Sequence, residues 1–452
     1  MNSLIRSNIF PIPVGSHFKI PDEKLYLVYA PFSDNALVAT PDNVAEMANY
    51  MEDISQVKDP DIIETMETLL DHDPVKFSAR LESPELFNRL AILPNNVCNF
   101  NCSYCYSAPG RSGKVLDENK LKATLDYFID PKRLAPPDII YIAIMGGGEP
   151  LLSWDLVKFI IKYSNGQAAK YGFTTDISLV TNGSIISDEI IKLLKDNEVG
   201  VSVSFEILEE IQNKQRGHFN LVCQTIDKLI SNGLAPKFRS TITPASVDRQ
   251  KEMVEFVVNR FPGVSDIMFE AVTDAASFAS PDDIKTFYDN YTDHFFAAQH
   301  FGAEKGLKVE CSASRNLNLL VERFCPGTFA LTPEGDISMC TRITSPLDTG
   351  FNDCVYGRMD DSGVMNIDRE KLKKLSDINV YSMEKCRDCF AKWHCGGGCM
   401  AQRYAYDEEV LNLICDYTRS FTKRMLLERL ENQYREFYQD SLEEAVLNIK
   451  NI

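Results

Sequence analysis

From about residue 91 to residue 305 the sequence alternates short apolar runs of β type with longer amphipathic stretches. "LAIL", "DIIYIAIM", "DISLVTN", "GVSVSF", "PKFRSTIT" and "DIMFEAV" are separated by segments such as "SWDLVKFIIKYSNGQAAKYG". A helix after each strand returns the chain to the same end of the sheet, so the strands must run parallel. Right-handed crossovers curl such a sheet into a partial, TIM-like (β/α)6 barrel, with ligands held at the C-terminal ends of strands. The spacing predicts an α/β fold whose chemistry lies in the loops that follow strands.

The chain has 452 residues and 44% hydrophobic content, enough for two or three domains. Residues 1–88 read as a small α+β module: "KLYLVYAPFSDNALVATP" has the pattern of a hairpin, and helices follow around "NVAEMANYMEDI" and "DIIETMETLLDH". The barrel is expected over 89–305. Short strands, turns and many cysteines fill 306–424, and an amphipathic helix, "FTKRMLLERLENQYREFYQDSLEEAVLNI", is assigned to 425–452 as a packing element. No repeat of fixed period and no low-complexity linker interrupts this order.

Charge and hydropathy remove whole classes of function. The formal charge of −18, with no Lys/Arg block, repels phosphate backbones, so nucleic acid is not expected as a partner. No apolar run reaches the roughly 18 to 20 residues that span a bilayer, and "MNSLIRSNIFPIPVG" has too short an apolar core for a signal peptide. The expected compartment is the cytoplasm. There, thirteen cysteines are expected to be metal ligands or catalytic groups rather than disulfides.

In "CNFNCSYCYSAPG", residues 98–110, Cys98, Cys102 and Cys105 follow the first strand with gaps of three and two. A structural zinc site normally closes with four ligands, so either a distant residue completes a zinc site or three thiolates hold three irons of a 4Fe-4S cube, leaving the fourth iron open. No Ser-His-Asp or metal-carboxylate pattern competes.

The triplet, with Tyr104 just before its third cysteine, resembles the signature of radical S-adenosylmethionine (SAM) enzymes, whose partial barrel has the same alternation. The resemblance implies that the open iron chelates SAM and that an electron cleaves its sulfonium to a 5′-deoxyadenosyl radical, the protein supplying binding and orientation. It also assigns SAM contacts. Gly147, Gly148, Glu149 and Pro150 of "GGGEP" resemble the segment whose backbone binds the methionyl amino group, glycine permitting close approach. Thr181, Asn182 and Gly183 resemble the turn after the third strand. The family's Ser-x-Asp-Gly is here Ser204, Phe205, Glu206, Ile207, which keeps only the serine for the ribose and leaves the turn uncertain. Arg216 stands where an arginine can pair with the SAM carboxylate; its other reading is a solvated surface arginine.

A second cysteine field is similar to the SPASM extension of radical SAM enzymes that mature peptides and proteins. Cys325 precedes Gly335 and Cys340, then Cys386, Cys389, Cys395 and Cys399 follow with gaps of two, five and three, and Cys415 closes the set. Spacing alone also suits a zinc ribbon. By resemblance, Cys325, Cys340 and Cys399 hold a first auxiliary 4Fe-4S cluster, and Cys386, Cys389, Cys395 and Cys415 a second, giving three clusters in all. For the fourth ligand of the first, Cys311 is the better candidate and Cys354 the poorer; an open iron is the alternative. Cys223 reads as a core residue, and Trp393 and His394 as packing and hydrogen-bonding groups around cluster sulfur.

Together these features imply a cytoplasmic radical SAM oxidoreductase that installs an intramolecular cross-link, a thioether or a C-C or C-O bond, in a ribosomally made precursor peptide. The N-terminal module resembles a PqqD-like leader-recognition domain, which would take the leader as an added strand at residues 24–40; a plain structural cap is the other reading. A flavodoxin or ferredoxin is the expected electron donor. One alternative is a sulfatase-maturing, formylglycine-generating enzyme, in which an aspartate usually stands where this chain has Thr341. The other is a multi-cluster electron carrier or peptide-binding scaffold without turnover.

Overall fold

In the computed structural model, residues 1–77, 81–136, 138–273 and 275–448 are described. The hairpin read at 24–40 forms from β2 (Tyr26–Ala30) and β3 (Asn35–Ala39), antiparallel with Tyr26 opposite Ala39. A strand the sequence did not reveal, β1 (Phe10–Pro13), pairs with β2. Its two prolines read as breakers, but an edge strand tolerates them because outward-facing positions need no N–H.

Helices Pro41–Glu52 and Pro60–Leu70 follow, each opening with proline just after a capping residue. Thr40 accepts from the Asn43 N–H and Asp59 from the Asp61 N–H. These helices cover one face of the small sheet, where Val28 and Ala30 meet Val44, Met47, Ile62 and Met66. On the opposite face Ile12, Leu27 and Tyr29 pack with Trp393, Leu426 and Leu427. The module is therefore seated on the C-terminal segment through apolar burial.

Each of the six apolar runs becomes a strand: β4 (Arg89–Ile92), β5 (Ile139–Ile144), β6 (Thr174–Thr181), β7 (Gly200–Ser204), β8 (Lys237–Ile242) and β9 (Asp266–Ala271). They pair in parallel in chain order. The sheet continues past both ends of the expected six. β10 (Lys308–Glu310) adds in parallel to β9, and β11 (Phe329–Leu331) in parallel to β4. β12 (Asp336–Ser338), β13 (Val355–Met359) and β14 (Met365–Ile367) then extend the edge in antiparallel fashion, for eleven strands. The boundary expected at 305 thus separates elements of one continuous sheet. The short strands expected over 306–424 carry too little periodicity for their place in the sheet to be read in advance.

Ile142, Leu179, Val203, Phe238 and Phe269 of the sheet pack with Val157, Ile160, Ile226 and Val254 of the helices in one core. Each such side chain stabilises the fold by about 1.5–3 kcal/mol through burial. The helix Trp154–Tyr171 stops at Gly172, whose φ of 80° releases the chain into β6.

The C-terminal helix does not begin at residue 425. It runs unbroken from Glu408 to Tyr438 because the Asp407 side chain caps it at the Val410 N–H, and it ends where Gln439 takes a φ of 56°. A short helix, Leu442–Leu447, follows; residues 449–452 of the expected unit lie outside the described residues. The long helix packs Tyr417 on Tyr288 and Phe421 against Phe295 and Phe296 of the helix Pro281–Glu304. It also pairs Glu431 with His17 and Arg429 with Asp34 of the N-terminal module. Among the described residues no helix is long and apolar enough to cross a membrane.

Candidate functional site: one cavity between two cysteine fields

A cavity of about 530 Å³ lies at the C-terminal ends of the barrel strands. Cys98, Cys102 and Cys105 line it from the loop after β4, and Cys395 and Cys399 line it from the second cysteine field. Tyr104, Gly147, Gly148 and Glu149 reach this cavity, as do Thr181, Asn182, Ser204 and Arg216. Pro150 is not part of the wall; it is buried at the start of the 3-10 turn Pro150–Ser153.

Neighbouring elements fix the triplet loop. Phe100 stacks on His218 at 4.7 Å, the Ser103 N–H donates to the Gln215 carbonyl at 2.9 Å, and Asn182 Nδ2 donates to Asn99 Oδ1 at 2.9 Å. The glycines of "GGGEP" serve this loop too. A Cβ on Gly148 would lie 1.9 Å from the Val97 carbonyl oxygen, and one on Gly147 2.5 Å from Asn96 Oδ1. The close approach that glycine permits here is between the turn after β5 and the residues leading into Cys98.

The Glu149 side chain has a structural task of its own. Its Oε1 accepts from the Thr181 hydroxyl (2.7 Å) and the Leu151 N–H (3.1 Å), and its Oε2 from the Asn182 N–H (2.7 Å). The carboxylate therefore ties the turn after β5 to the turn after β6. Burial raises its pKa, and these hydrogen bonds oppose the rise.

The turn after β7 survives the loss of Asp-Gly. Ile207 adopts a φ of 66°, and the Leu208 N–H returns to the Glu206 carbonyl at 2.7 Å. The left-handed conformation costs about 1–2 kcal/mol for such a residue, while truncating a buried Ile costs about 2–5 kcal/mol. Ile207 is fully buried, so packing outweighs strain.

This turn delivers Glu206, a residue the sequence registered only as a departure from a motif. Glu206 Oε2 accepts from the Ser240 hydroxyl and the Thr241 N–H, each at 2.9 Å, and Oε1 takes the Tyr104 phenol. Arg216 Nη1 donates to the Tyr104 oxygen at 2.9 Å and stands 3.6 Å from Glu206 Oε1. Arg216 is thus a largely buried member of a Tyr-Glu-Arg network beneath the triplet, not a solvated surface arginine. Burial raises the Glu206 pKa against the pull of Arg216. Burial works against the Arg216 charge, but Tyr104, Cys102 and Glu206 outweigh it and keep the guanidinium protonated.

On the same wall the Nε atoms of Arg111, Arg216 and Arg342 are buried without a hydrogen-bond partner. Orphaned donors of this kind fit an anionic group such as the carboxylate of SAM. Three thiols on one loop beside them fit a cluster with one ligand position left over.

The opposite wall holds Glu270, at the end of β9, and Cys311, just after β10. Glu270 Oε1 accepts from the Ser312 N–H (3.0 Å) and hydroxyl (2.6 Å), and burial raises its pKa. Cys311 is buried and its thiol is pushed up to about 12, chiefly by burial and then by the Glu270 charge. In the sequence Glu270 shows only as a charge near the end of β9, a strand that also begins with Asp266.

The second field holds two sets of neighbouring thiols. Cys389, Cys415 and Cys386 lie within electrostatic reach of Cys395, and Cys399, Cys325 and Cys354 within reach of Cys340. Cys354, not Cys311, keeps company with Cys325, Cys340 and Cys399; the neighbours of Cys311 are Glu270, Ser314 and Tyr291. Among the described residues no group of three His, Cys, Asp or Glu closes tightly enough for a single metal ion, whereas a four-iron cube spreads its thiolates farther apart. Cys223 sits in the barrel core.

His394 and Trp393 have a different role from the one expected. His394 Nε2 meets the Tyr29 hydroxyl at 2.6 Å and its Nδ1 the Leu319 carbonyl at 3.0 Å. Trp393 Nε1 donates to Asn8 Oδ1 at 3.0 Å while its ring packs on Phe32 and Phe77. Both fasten the N-terminal module to the second cysteine field.

Residues 92–257 match the profile of the Radical SAM superfamily. The radical SAM cyclopropyl synthase TigE of Paramaledivibacter caminithermalis is 22% identical over 406 residues, 82% of this chain and 80% of that one. The uncharacterized protein MJ0907 of Methanocaldococcus jannaschii is 25% identical over 187 residues; the match takes in 40% of this chain and 61% of that relative. Among solved structures, native anSMEcpe with bound AdoMet and Kp18Cys peptide superposes with a TM-score of 0.59 at 17% identity, over 76% of this chain and 99% of that one. Streptococcus suis SuiB bound to precursor peptide SuiA gives 0.50 at 12% identity, over 89% and 100%. At these identities the structural matches establish the fold.

Proposed function

We propose that this chain, which carries a radical SAM domain, is a maturase that forms an intramolecular cross-link in a ribosomally made precursor peptide. The observation that carries the reading is the single cavity walled by the triplet at one end and by the second cysteine field at the other. When bound, a 4Fe-4S cluster on Cys98, Cys102 and Cys105 together with SAM would supply a carbon radical able to remove a hydrogen atom from the substrate.

The chain's own groups would do the rest. Arg216, held by Tyr104 and Glu206, and the free Nε of Arg111 would orient the cofactor's carboxylate. A substrate that has lost one hydrogen atom must lose a proton and an electron before the link is complete. Glu270, with Ser312 occupying Oε1, can take the proton at Oε2. The electron needs an acceptor near the cavity, and Cys325, Cys340 and Cys399, with Cys386, Cys389, Cys395 and Cys415, are the proposed ligands of two auxiliary clusters.

The N-terminal module is the proposed seat of a leader peptide. Pro11 and Pro13 share one parity of β1, which removes outward N–H donors and closes that edge to strand addition. The leader would therefore add along β3, within the residues 24–40 that the hairpin pattern marked. The solved complex of SuiB with its precursor peptide SuiA supports a peptide partner, and TigE supports modification of a substrate by radical chemistry in a protein that aligns over most of this chain. Co-expression with a short peptide encoded beside this gene should yield a product lighter by two hydrogens per link; an unchanged mass would reject cross-linking, and conversion of Cys or Ser to formylglycine would favour the sulfatase-maturing alternative.

A further inference from the structure

We infer that Cys354 is the fourth thiol ligand of the auxiliary site built on Cys325, Cys340 and Cys399, and that Cys311 is a thiol of the cavity wall rather than a ligand. The inference rests on reading that site as an iron-sulfur site, and it names the residue that closes it.

Contacts bind Cys354 directly to the segments that carry Cys340 and Cys399, and through Met400 and Arg323 to the segment of Cys325. The β12–β13 pairing sets Ser338 opposite Val355, and the Met339 N–H donates to the Cys354 carbonyl at 2.9 Å, which brings Cys354 alongside Cys340. The Cys354 Sγ lies 3.7 Å from the Sδ of Met400, the residue after Cys399. Arg323 Nη2 reaches the same Met400 Sδ at 3.6 Å, and its Nη1 donates to the Cys325 carbonyl. Gly350, with a φ of 85°, starts the turn Phe351–Cys354, and a Cβ there would strike the Tyr404 ring of the helix that follows Cys399 at 2.6 Å. Cys354 is therefore held in place by the elements that hold Cys325, Cys340 and Cys399.

Arg323 supplies an independent argument. It is 6% exposed, and its hydrogen bonds go to the Ile378 carbonyl, the Cys325 carbonyl and the Met400 sulfur, none of them a carboxylate. A buried cation requires a nearby negative charge. Four thiolates around an iron-sulfur cube carry net negative charge, and through its hydrogen bonds this guanidinium touches the segments that carry Cys325 and Cys399.

Cys311 is committed elsewhere. Its Sγ accepts from the Ser314 N–H at 3.4 Å, capping the helix Ser312–Asn316, and it lines the cavity beside Glu270 and Tyr291.

The test is iron content and EPR of the anaerobically reconstituted full chain. Three cubes give about 12 irons per chain. Cys354→Ala leaves three thiols at that site, as at the triplet, so it should keep between about 8 and about 12 irons with one cluster signal lost or shifted, while Cys311→Ala should keep about 12 with the wild-type spectrum. Retention of all the iron and an unchanged spectrum in Cys354→Ala, or loss of a cluster in Cys311→Ala, would overturn the assignment. Should Cys354→Ala fail to fold, seen as loss of all three clusters, Cys354→Ser decides. Oxygen ligation should shift the signal of one cluster, and an unshifted spectrum counts against Cys354. Wild-type protein with only about 4 irons would instead reject the auxiliary clusters themselves, a failure distinct from choosing the wrong cysteine.

Discussion

The two cysteine regions of this protein are built in opposite ways. The triplet sits on one loop after one strand, and its three thiols face a cavity whose wall carries three guanidinium nitrogens without partners. The second field gathers thiols from β-hairpins, short turns and the helix Glu408–Tyr438, with its buried arginine held by carbonyls and sulfur. A site meant to exchange its fourth ligand needs an open side and spare donors. A site meant only to pass electrons can be closed. On the proposed function, the contrast assigns bond-breaking chemistry to one end of the cavity and electron storage to the other.

The largest effect expected is at the open end. Cys102→Ala should abolish 5′-deoxyadenosine release, measured chromatographically, and remove about 4 irons per chain. At the closed end Cys386→Ala should spare part of the 5′-deoxyadenosine while losing the cross-linked product. Equal loss of both with the triplet cluster still assembled would erase the distinction between the two regions.

Next in size is Arg216→Met, which leaves Glu206 buried without its cation. Breaking such a pair typically costs about 3–5 kcal/mol, to be read as a lowered midpoint in denaturant, together with weaker SAM binding by calorimetry. Glu270→Gln should keep the iron and reduce product. The raised Glu270 pKa sets the sign of the pH dependence: only the ionised carboxylate accepts a proton, so product formation should fall as pH drops, with its midpoint above the ordinary glutamate value of about 4.3. The Gln variant should lack that limb.

The smallest effect concerns Glu85, whose carboxyl the Arg369 side chain holds down at about 2. A depressed carboxylate contributes stability above its unfolded pKa and loses it as pH falls toward the folded value. The pair is exposed, so Arg369→Ala should cost under about 1 kcal/mol in urea unfolding and less at high salt.

What could be read from the sequence follows from what is local. Strands β4 to β9 were legible because each apolar run is long enough to show its type and is followed by a helix. β11, β12 and β14 are three residues each and were read only as unplaced short strands, and β1 was hidden by its prolines. The thiols of each field were legible because ligand spacing is a property of neighbours in the chain. The preference proposed for Cys354 over Cys311 was not, since it draws on the register of β12 against β13. Tyr29 and Asn8, the hydrogen-bond partners of His394 and Trp393 in the N-terminal module, lie more than 360 residues away, so this seating left no local trace. Glu206 and Glu270 are single charges in apolar surroundings whose importance appears only once the cavity exists.

The most direct measurement is made on anaerobically reconstituted wild-type protein given SAM, a low-potential reductant and the precursor peptide, with 5′-deoxyadenosine and peptide mass followed together. Release of 5′-deoxyadenosine accompanied by loss of two hydrogens per link from the peptide is the predicted result. No 5′-deoxyadenosine, with all the iron in place, would leave a peptide-binding scaffold and contradict the account.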